Sequence, residues 1–265
     1  MCRIAAFVGA REATLSSLLF DPPHSLEKVA HSPRELLRGA VNVDGTGVAW
    51  WSGEDPEPMS YVSSQPPWSD PNLTGLSRRL SGSTIVAAVR SATPGIPFGT
   101  SNVAPFTGEG IAMVHNGWIG GFRDGLGREL LGRLTDDRFA DLHSMNDSLA
   151  LFLLLRQAVD NHPGSELATS LENMIQDVAK VVTSAGESAT LNIVAARRGE
   201  IAAVRTSVQF AVNSLYMKEA PTGNLIASEA LDDSDKWQGV PAGSVLTMTA
   251  TRLDVTAIEH EGVAR

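Results

Sequence analysis

The order of apolar patterns along the chain restricts its fold more than any other feature. Short apolar runs typical of strands come first, interrupted at 52–71 by a proline-rich stretch that we expect to be a long surface loop. Two helical patterns follow at 147–160 and 165–184, and strand-like runs return between 189 and 258, including a separate one at 208–212. Strands and helices therefore do not alternate as they would in a parallel βαβ sheet. This order predicts antiparallel sheets with the helices grouped outside them, and we expect one domain over residues 1–265.

The composition excludes several classes of protein. Hydrophobic residues make up 43% of the 265 residues and charged residues 19%, which is ordinary for a globular chain. Lys and Arg total 21 against 30 Asp and Glu, and the absence of a basic patch argues against a nucleic-acid partner. The longest apolar run, 149–155, is too short to span a membrane, and the chain opens without a leader-like segment. We therefore expect a cytoplasmic protein.

Cys2 is the only cysteine, which excludes both a disulfide framework and a thiolate zinc cluster. If Met1 is removed, Cys2 gains a free α-amine with a pKa of about 7.7 to 8, close to the value of about 8.5 for a thiol. Such an amine can accept the thiol proton and return it to a leaving amine, so one residue supplies both nucleophile and base. The alternative is that Cys2 is a small buried apolar residue.

Three further segments form a set with Cys2 in this order: Arg90-Ser91-Ala92-Thr93 after a strand, His115-Asn116-Gly117 as a strand-ending turn, and Asn146-Asp147-Ser148 at a helix start. With this set the chain resembles the class II (N-terminal nucleophile) glutamine amidotransferase family. It is most similar to the γ-glutamyl amidohydrolases of the bacterial ergothioneine pathway, which share segments 42–45, 191–196 and 227–229. The resemblance implies an α+β fold, an αββα sandwich of two antiparallel sheets with helices on the outer faces, as in Ntn hydrolases.

The resemblance also divides the site residues into two sets: catalytic Cys2, Asn116 and Gly117, and substrate-binding Arg90, Thr93, His115 and Asp147. Cys2 would attack the amide while the Asn116 side chain and the Gly117 backbone N–H form the oxyanion hole. Arg90, assisted by Thr93, would bind the α-carboxylate of a γ-glutamyl group, and Asp147 would accept from its α-ammonium. His115 would support the turn rather than act as a base.

Each of these residues also has a structural interpretation that the sequence leaves open. Arg90 could form an ion pair at a strand end, and Asp147 could only cap a helix. Asn116 and Gly117 could form a plain turn. Ser228 and Glu229, which follow an apolar strand, could line the substrate pocket or form a solvated strand end.

We expect a hydrolase that releases glutamate from a γ-glutamyl conjugate, with γ-glutamyl hercynylcysteine sulfoxide as the favoured substrate. The alternatives are a glutaminase subunit that feeds ammonia to a separate synthase, and a protein that binds such a compound without cleaving it. No metal or organic cofactor is expected, the only partner implied is the small-molecule substrate, and a homo-oligomer remains open. Segment 120–145 is expected to shape access to the site, and Leu149 stands where many relatives carry Glu.

Overall fold

The computed structural model describes residues 2–37, 39, 41–92 and 98–258. Two antiparallel sheets form its centre. The seven-stranded sheet contains, in spatial order, β11 (Gln238–Gly239), β9 (Tyr216–Ala220), β10 (Gly223–Ala227), β1 (Arg3–Thr14), β4 (Ser81–Val89), β2 (Thr46–Trp51) and β3 (Met59–Ser63). The six-stranded sheet contains β13 (Leu253–Ala257), β12 (Ser244–Met248), β8 (Glu200–Val208), β7 (Ala189–Arg197), β6 (Ile111–Ile119) and β5 (Phe106–Gly108).

The helices cover the outer faces of both sheets. Three share an apolar cluster with the six-stranded sheet: α4 (Leu126–Leu131), α6 (Asp147–Asn161) and α7 (Leu167–Ser184). The short helix α5 (Asp136–Ala140) has no buried residue and packs against α6. Three short ones pack on the seven-stranded sheet: α1 (Ser16–Leu19), α2 (Leu26–His31) and α3 (Leu73–Ser77). A third apolar cluster fills the space between the sheets. The αββα sandwich predicted from the sequence is confirmed.

Side-chain alternation along the strands separates the inter-sheet face from the helix-covered faces. Small and branched apolar residues fill the inter-sheet core, such as Ile4 and Ala6 of β1 and Val114 of β6. Towards one end of the sandwich the same alternation brings polar side chains to the inter-sheet face, among them Asn116 and Asn192. The apolar core therefore gives way to a polar region at the end where β1 begins.

The expected turn at Asn116 and Gly117 is wrong, because β6 continues through both residues to Ile119. The strand needs glycine at position 117, because a Cβ there would lie 1.8 Å from the Thr190 carbonyl oxygen. Glycine is thus required because the backbone of β7 lies too close to leave room for a side chain, and not because the chain reverses direction here.

Two further expectations about strands are also wrong. The sequence suggested a separate strand at 208–212, but β8 ends at Val208 because Gln209 adopts a φ of 49° and breaks the ladder. The segment 52–71, expected to be one long loop, contains β3, which pairs with β2 as an edge strand of the seven-stranded sheet. The proline-rich flanks of β3 hid its weak apolar pattern.

Candidate active site

Cys2 lies directly before β1, the central strand of the seven-stranded sheet. The register pairs Arg3 with Val89, so Cys2 and Arg90 form the next facing pair beyond it. Facing residues on antiparallel strands have Cβ atoms about 4.5 to 5.5 Å apart. Alternation from the inter-sheet core places both side chains on the inter-sheet face, with Cys2 half-buried and Arg90 buried.

The backbone around Arg90 is held by the loop that precedes β2. The Arg90 N–H donates to the Gly45 carbonyl at 2.8 Å, and its carbonyl accepts from the Asp44 N–H at 3.1 Å. Two residues later, the Ala92 N–H donates to the Asp44 carboxylate at 2.7 Å. These bonds fix the direction in which the chain leaves β4 after Arg90. Thr93 lies outside the described residues.

Asn116 projects from β6 towards the inter-sheet face. Its side chain is fully buried, and neither the amide nitrogen nor the oxygen has a hydrogen-bond partner among the described residues. A buried carboxamide without partners costs free energy, about 1 to 3 kcal/mol, so it calls for a ligand that completes its hydrogen bonds. An oxygen that develops negative charge would be such a ligand.

Two other asparagines support this part of β6. Asn213 donates to the Asn116 carbonyl at 2.9 Å, and Asn192, which faces Asn116 on β7, donates to the Asn213 carbonyl at 3.0 Å. Sequence analysis missed both residues. The available signal was an asparagine between Leu191 and Ile193 in an otherwise apolar strand.

The Gly117 N–H points to the edge of β6 that faces away from β7. The Gly120 N–H bonds to the Ser188 carbonyl on the β7 side, whereas the Ile119 N–H donates to Asp147 on the opposite side. N–H directions alternate along a strand, so Gly117 shares the direction of Ile119. The register of β5 with β6 ends at Met113, which leaves this edge uncovered by β5 at Gly117.

Asp147 joins the first turn of α6 to this edge of β6. Its carboxylate accepts from the Ile119 N–H at 3.1 Å and from the Ser148 N–H at 2.7 Å, and it is buried. The helix cap is Asn146, whose side chain accepts from the same Ser148 N–H at 2.9 Å. A carboxylate has about four acceptor positions, so Asp147 keeps capacity for a further donor beyond these two backbone N–H groups. Gly117 and Ile119 are about 6.8 Å apart along the strand, a span similar to that of an extended γ-glutamyl chain.

His115 points to the helix layer and not to the inter-sheet face. Its Nε2 lies 3.0 Å from the Thr190 carbonyl oxygen, and its Nδ1 lies 2.9 Å from the Ser148 hydroxyl. Because a carbonyl only accepts, Nε2 carries the proton and Nδ1 accepts from Ser148. Burial lowers the pKa of His115, while the Asp147 charge opposes that shift. A neutral His115 therefore connects β6 by hydrogen bonds to β7 and to α6.

Arg3 and Glu229 form a buried ion pair on the helix-covered face behind Cys2. Arg3 Nη1 lies 2.7 Å from Glu229 Oε1, and both side chains are fully buried. Arg3 Nε also donates to the Cys2 carbonyl at 2.9 Å. The backbone N–H groups of Arg34 and Glu35 donate to the Glu229 carboxylate as well. Glu229 is therefore neither a solvated strand end nor a pocket residue on the inter-sheet face, and Arg3 orients the start of the chain.

Trp50, Trp51 and Trp118 take different positions relative to the candidate site. Trp50 and Trp51 are buried in the core. Trp118 lies on the inter-sheet face of β6 and contacts Phe210 edge-on, with ring centroids 5.4 Å apart. Segment 120–145 contributes α4 and α5 and then meets the loop before β5, where Ser144 donates to Asn102 at 2.7 Å.

Within the described ranges, no group of three or more His, Cys, Asp or Glu residues could hold a metal ion. None of the helices formed by the described residues combines the length and the apolar character that a membrane crossing requires.

The fold agrees with that of known amidotransferases. A glutamine aminotransferase class II domain protein from Silicibacter pomeroyi superposes with a TM-score of 0.71 at 21% identity, over 97% of this chain and 99% of that one. The glutamine phosphoribosylpyrophosphate amidotransferase of Bacillus subtilis gives a TM-score of 0.66 at 15% identity, over 98% of this chain and 50% of that one. The chain has the class II glutamine amidotransferase fold.

Sequence comparison gives relatives that match this fold along nearly the whole chain. The γ-glutamyl-hercynylcysteine sulfoxide hydrolase of Mycobacterium tuberculosis (strain CDC 1551) is 29% identical over 260 residues, 98% of each chain. The protein of the same name from Mycolicibacterium smegmatis is 27% identical over 258 residues, 97% of this chain and 100% of that one. No protein-family model matches the chain. The resemblance inferred from the sequence is confirmed.

Proposed function

We propose that the protein is a γ-glutamyl amide hydrolase that uses Cys2 as its nucleophile. The observation that carries this proposal is the carboxamide of Asn116, which has no hydrogen-bond partner among the described residues and is buried on the face that also carries Cys2. Asn116 donates from its side chain and Gly117 from its backbone N–H, and together they bind the oxyanion of a tetrahedral intermediate. The similarity to hydrolases of γ-glutamyl-hercynylcysteine sulfoxide supports the same reaction class.

Two charged residues recognise the glutamyl end of the substrate. Arg90 lies beside Cys2 at the end of the neighbouring strand β4, on the same face of the sheet, and binds the α-carboxylate through its planar donor fork. Asp147 accepts from the α-ammonium with its remaining lone pairs, about two strand residues along β6 from Gly117. We include Thr93 beside Arg90 on the family resemblance alone. With these proposed contacts the γ-amide would lie between the two sheets.

The reaction proceeds in two stages. The α-amine of Cys2, free once Met1 is removed, accepts the thiol proton as sulfur attacks the amide carbon. The C–N bond breaks, the amine product leaves with that proton, and a glutamyl thioester remains on Cys2. Water then attacks the thioester, gives one proton to the α-amine as the C–S bond breaks, and glutamate leaves as the proton returns to the sulfur.

We propose γ-glutamyl hercynylcysteine sulfoxide as the substrate, following the relatives that cover nearly the whole chain. We also propose that residues 1–265 act as one domain, because strands from both ends of the chain share the inter-sheet core.

A single preparation can test the nucleophile and the amine together. The chain is produced with an N-terminal fusion whose removal exposes Cys2, and hydrolysis is measured before and after removal. We expect activity only after removal, and a loss of at least about a thousandfold in the Cys2→Ala protein with its melting temperature retained. Intact mass identifies the terminus in each sample. A fused chain that turns over as fast as the released one would contradict the mechanism.

The leaving group is tested by comparing glutamine with γ-glutamyl hercynylcysteine sulfoxide. A hydrolase of conjugates turns over the bulky substrate with the higher kcat/KM. A preference for glutamine would instead identify a glutaminase subunit, and binding of either compound without release of glutamate would identify a protein that does not cleave.

A further inference from the structure

A pocket of about 320 Å³ opens beside the proposed site. Six of its lining residues carry the argument: Glu35, Leu37, Arg205, Ser214, Leu215 and Tyr216. We refer to it as the Arg205 pocket. Two charged residues line it. Arg205 is half-buried, whereas Glu35 is exposed at the rim, where its carboxylate accepts from the Tyr216 hydroxyl at 2.9 Å.

The strand register places Arg205 in the same row as the proposed oxyanion donor. Asn116 of β6 faces Asn192 of β7, which in turn faces Arg205 of β8, and all three lie on the inter-sheet face. Neighbouring strands are about 4.8 Å apart, so the Arg205 and Asn116 backbones are about 9.6 Å apart. An arginine side chain and a small amine can span that distance together.

The walls of the pocket connect to the site by hydrogen bonds. Asn213 donates to the Asn116 carbonyl at 2.9 Å, and its own carbonyl accepts from Arg205 Nε at 2.8 Å. Ser214 donates to the Ser228 carbonyl at 2.7 Å, and the Ser228 N–H donates to the Ile4 carbonyl of β1 at 2.9 Å. The pocket therefore adjoins the side of the site that lies away from Arg90.

Arg205 retains donors for a ligand. Among the described residues it bonds to two backbone carbonyls and forms no ion pair with a carboxylate. Burial lowers the pKa of Arg205, with Tyr216 and Glu35 opposing that shift, so the charge is partly withdrawn from water. A planar guanidinium with free N–H groups is suited to a carboxylate.

We propose that the Arg205 pocket binds the amine leaving group, and that Arg205 binds a carboxylate carried by that amine. This inference rests on the proposed function and assigns to Arg205 the selection of γ-glutamyl conjugates whose leaving amine carries a carboxylate over γ-glutamyl derivatives of simple amines.

Two substrates that differ in one carboxylate provide the test. γ-Glutamylalanine carries a carboxylate on its leaving group, and γ-glutamylethylamide has a hydrogen in its place. We expect the wild type to favour the first in kcat/KM by at least tenfold, and Arg205→Gln to reduce that ratio at least tenfold. The matched control is Arg128→Gln, an exposed arginine of α4, which keeps the wild-type ratio.

The outcomes separate the inference from the proposed function. If the wild type cleaves neither substrate and also leaves γ-glutamyl hercynylcysteine sulfoxide intact, the proposed function fails and the inference fails with it. If it cleaves only the sulfoxide, the inference alone is overturned. If it cleaves both with a ratio near one, or if Arg205→Gln keeps the wild-type ratio, the inference alone is overturned. Should Arg205→Gln fold poorly, Arg205→Lys serves instead, because it keeps the charge, loses the planar fork, and is expected to give an intermediate ratio.

Discussion

Arg3 donates to Glu229 at 2.7 Å across 226 residues of sequence, and neither side chain is exposed to solvent. Removing one partner of a buried ion pair leaves the other charge uncompensated. We expect Glu229→Gln to lower the free energy of unfolding by about 3 kcal/mol or more, measured as a shift in the urea midpoint. Asp233→Asn is the control, because that carboxylate is 81% exposed. Equal midpoints for the two variants would show that the pair contributes nothing to stability.

Asn116→Ala separates catalysis from stability. The Asn116 side chain makes no hydrogen bond to the described residues, so its truncation removes no stabilising bond. We expect kcat to fall about a hundredfold to a thousandfold while the melting temperature stays the same or rises. Asn192→Ala is the contrasting variant, since it loses bonds to the Asn213 and Ser214 carbonyls and should lower the melting temperature. A large loss of stability in Asn116→Ala would contradict the proposed role.

Gly117→Ala tests the close approach between β6 and β7. The added Cβ would lie 1.8 Å from the Thr190 carbonyl oxygen and 2.4 Å from His115 Nε2, so the strands must separate. We expect the free energy of unfolding, measured by chemical denaturation, to fall by about 3 kcal/mol. At Gly75 in α3 a Cβ meets nothing within 4 Å, and Gly75→Ala should stabilise the protein by up to about 1 kcal/mol. If both variants behave alike, the clash is relieved without cost.

The lowered pKa of Glu109 predicts that the stability of the fold depends on pH in the acid range. Hydrogen bonds from Arg138 and Arg156 lower the pKa of Glu109 to about 2 from an ordinary value of 4.5. The unfolded chain therefore binds this proton at higher pH than the folded chain, and the stabilisation is lost as the pH falls from about 4.5 to about 2. The side chain is 54% exposed, so we expect at most about 1 kcal/mol.

The measurement for Glu109 is urea unfolding at a series of pH values between 6 and 2.5. Glu109→Gln should flatten the decline, whereas Glu129→Gln, which removes a carboxylate from an exposed pair with Arg133, should not. A decline of the same steepness in wild type and Glu109→Gln would assign the acid sensitivity to other groups.

The sequence predicted the order of the elements because each strongly patterned segment, such as α7 or β4, carries its own local signal. It missed β5, β9 and β11, which contain three, five and two residues and depend on pairing with neighbouring strands. The turn expected at Asn116 and Gly117 failed for a similar reason. The local sequence favoured a turn. Glycine is needed there because Thr190 of β7 lies close by, and that neighbour cannot be read from the sequence around Gly117.

The site was predictable where the motif residues sit near strand ends and at a helix start, as for Cys2, Arg90 and Asp147. It was not predictable where a residue acts through a partner far away in the sequence. The ion pair of Arg3 with Glu229 and the row that ends in Arg205 arise only when β1 pairs with β10 and β7 pairs with β8. No local pattern contains those pairings.

The central position of β1 has a practical consequence. Its neighbours β10 and β4 hold it from both sides, so the residue at its start cannot swing away to make room. The proposed mechanism needs the α-amine of Cys2 to be free, and a peptide left attached ahead of Cys2 would occupy it. Purification tags intended for enzymology on this protein therefore belong at the other terminus.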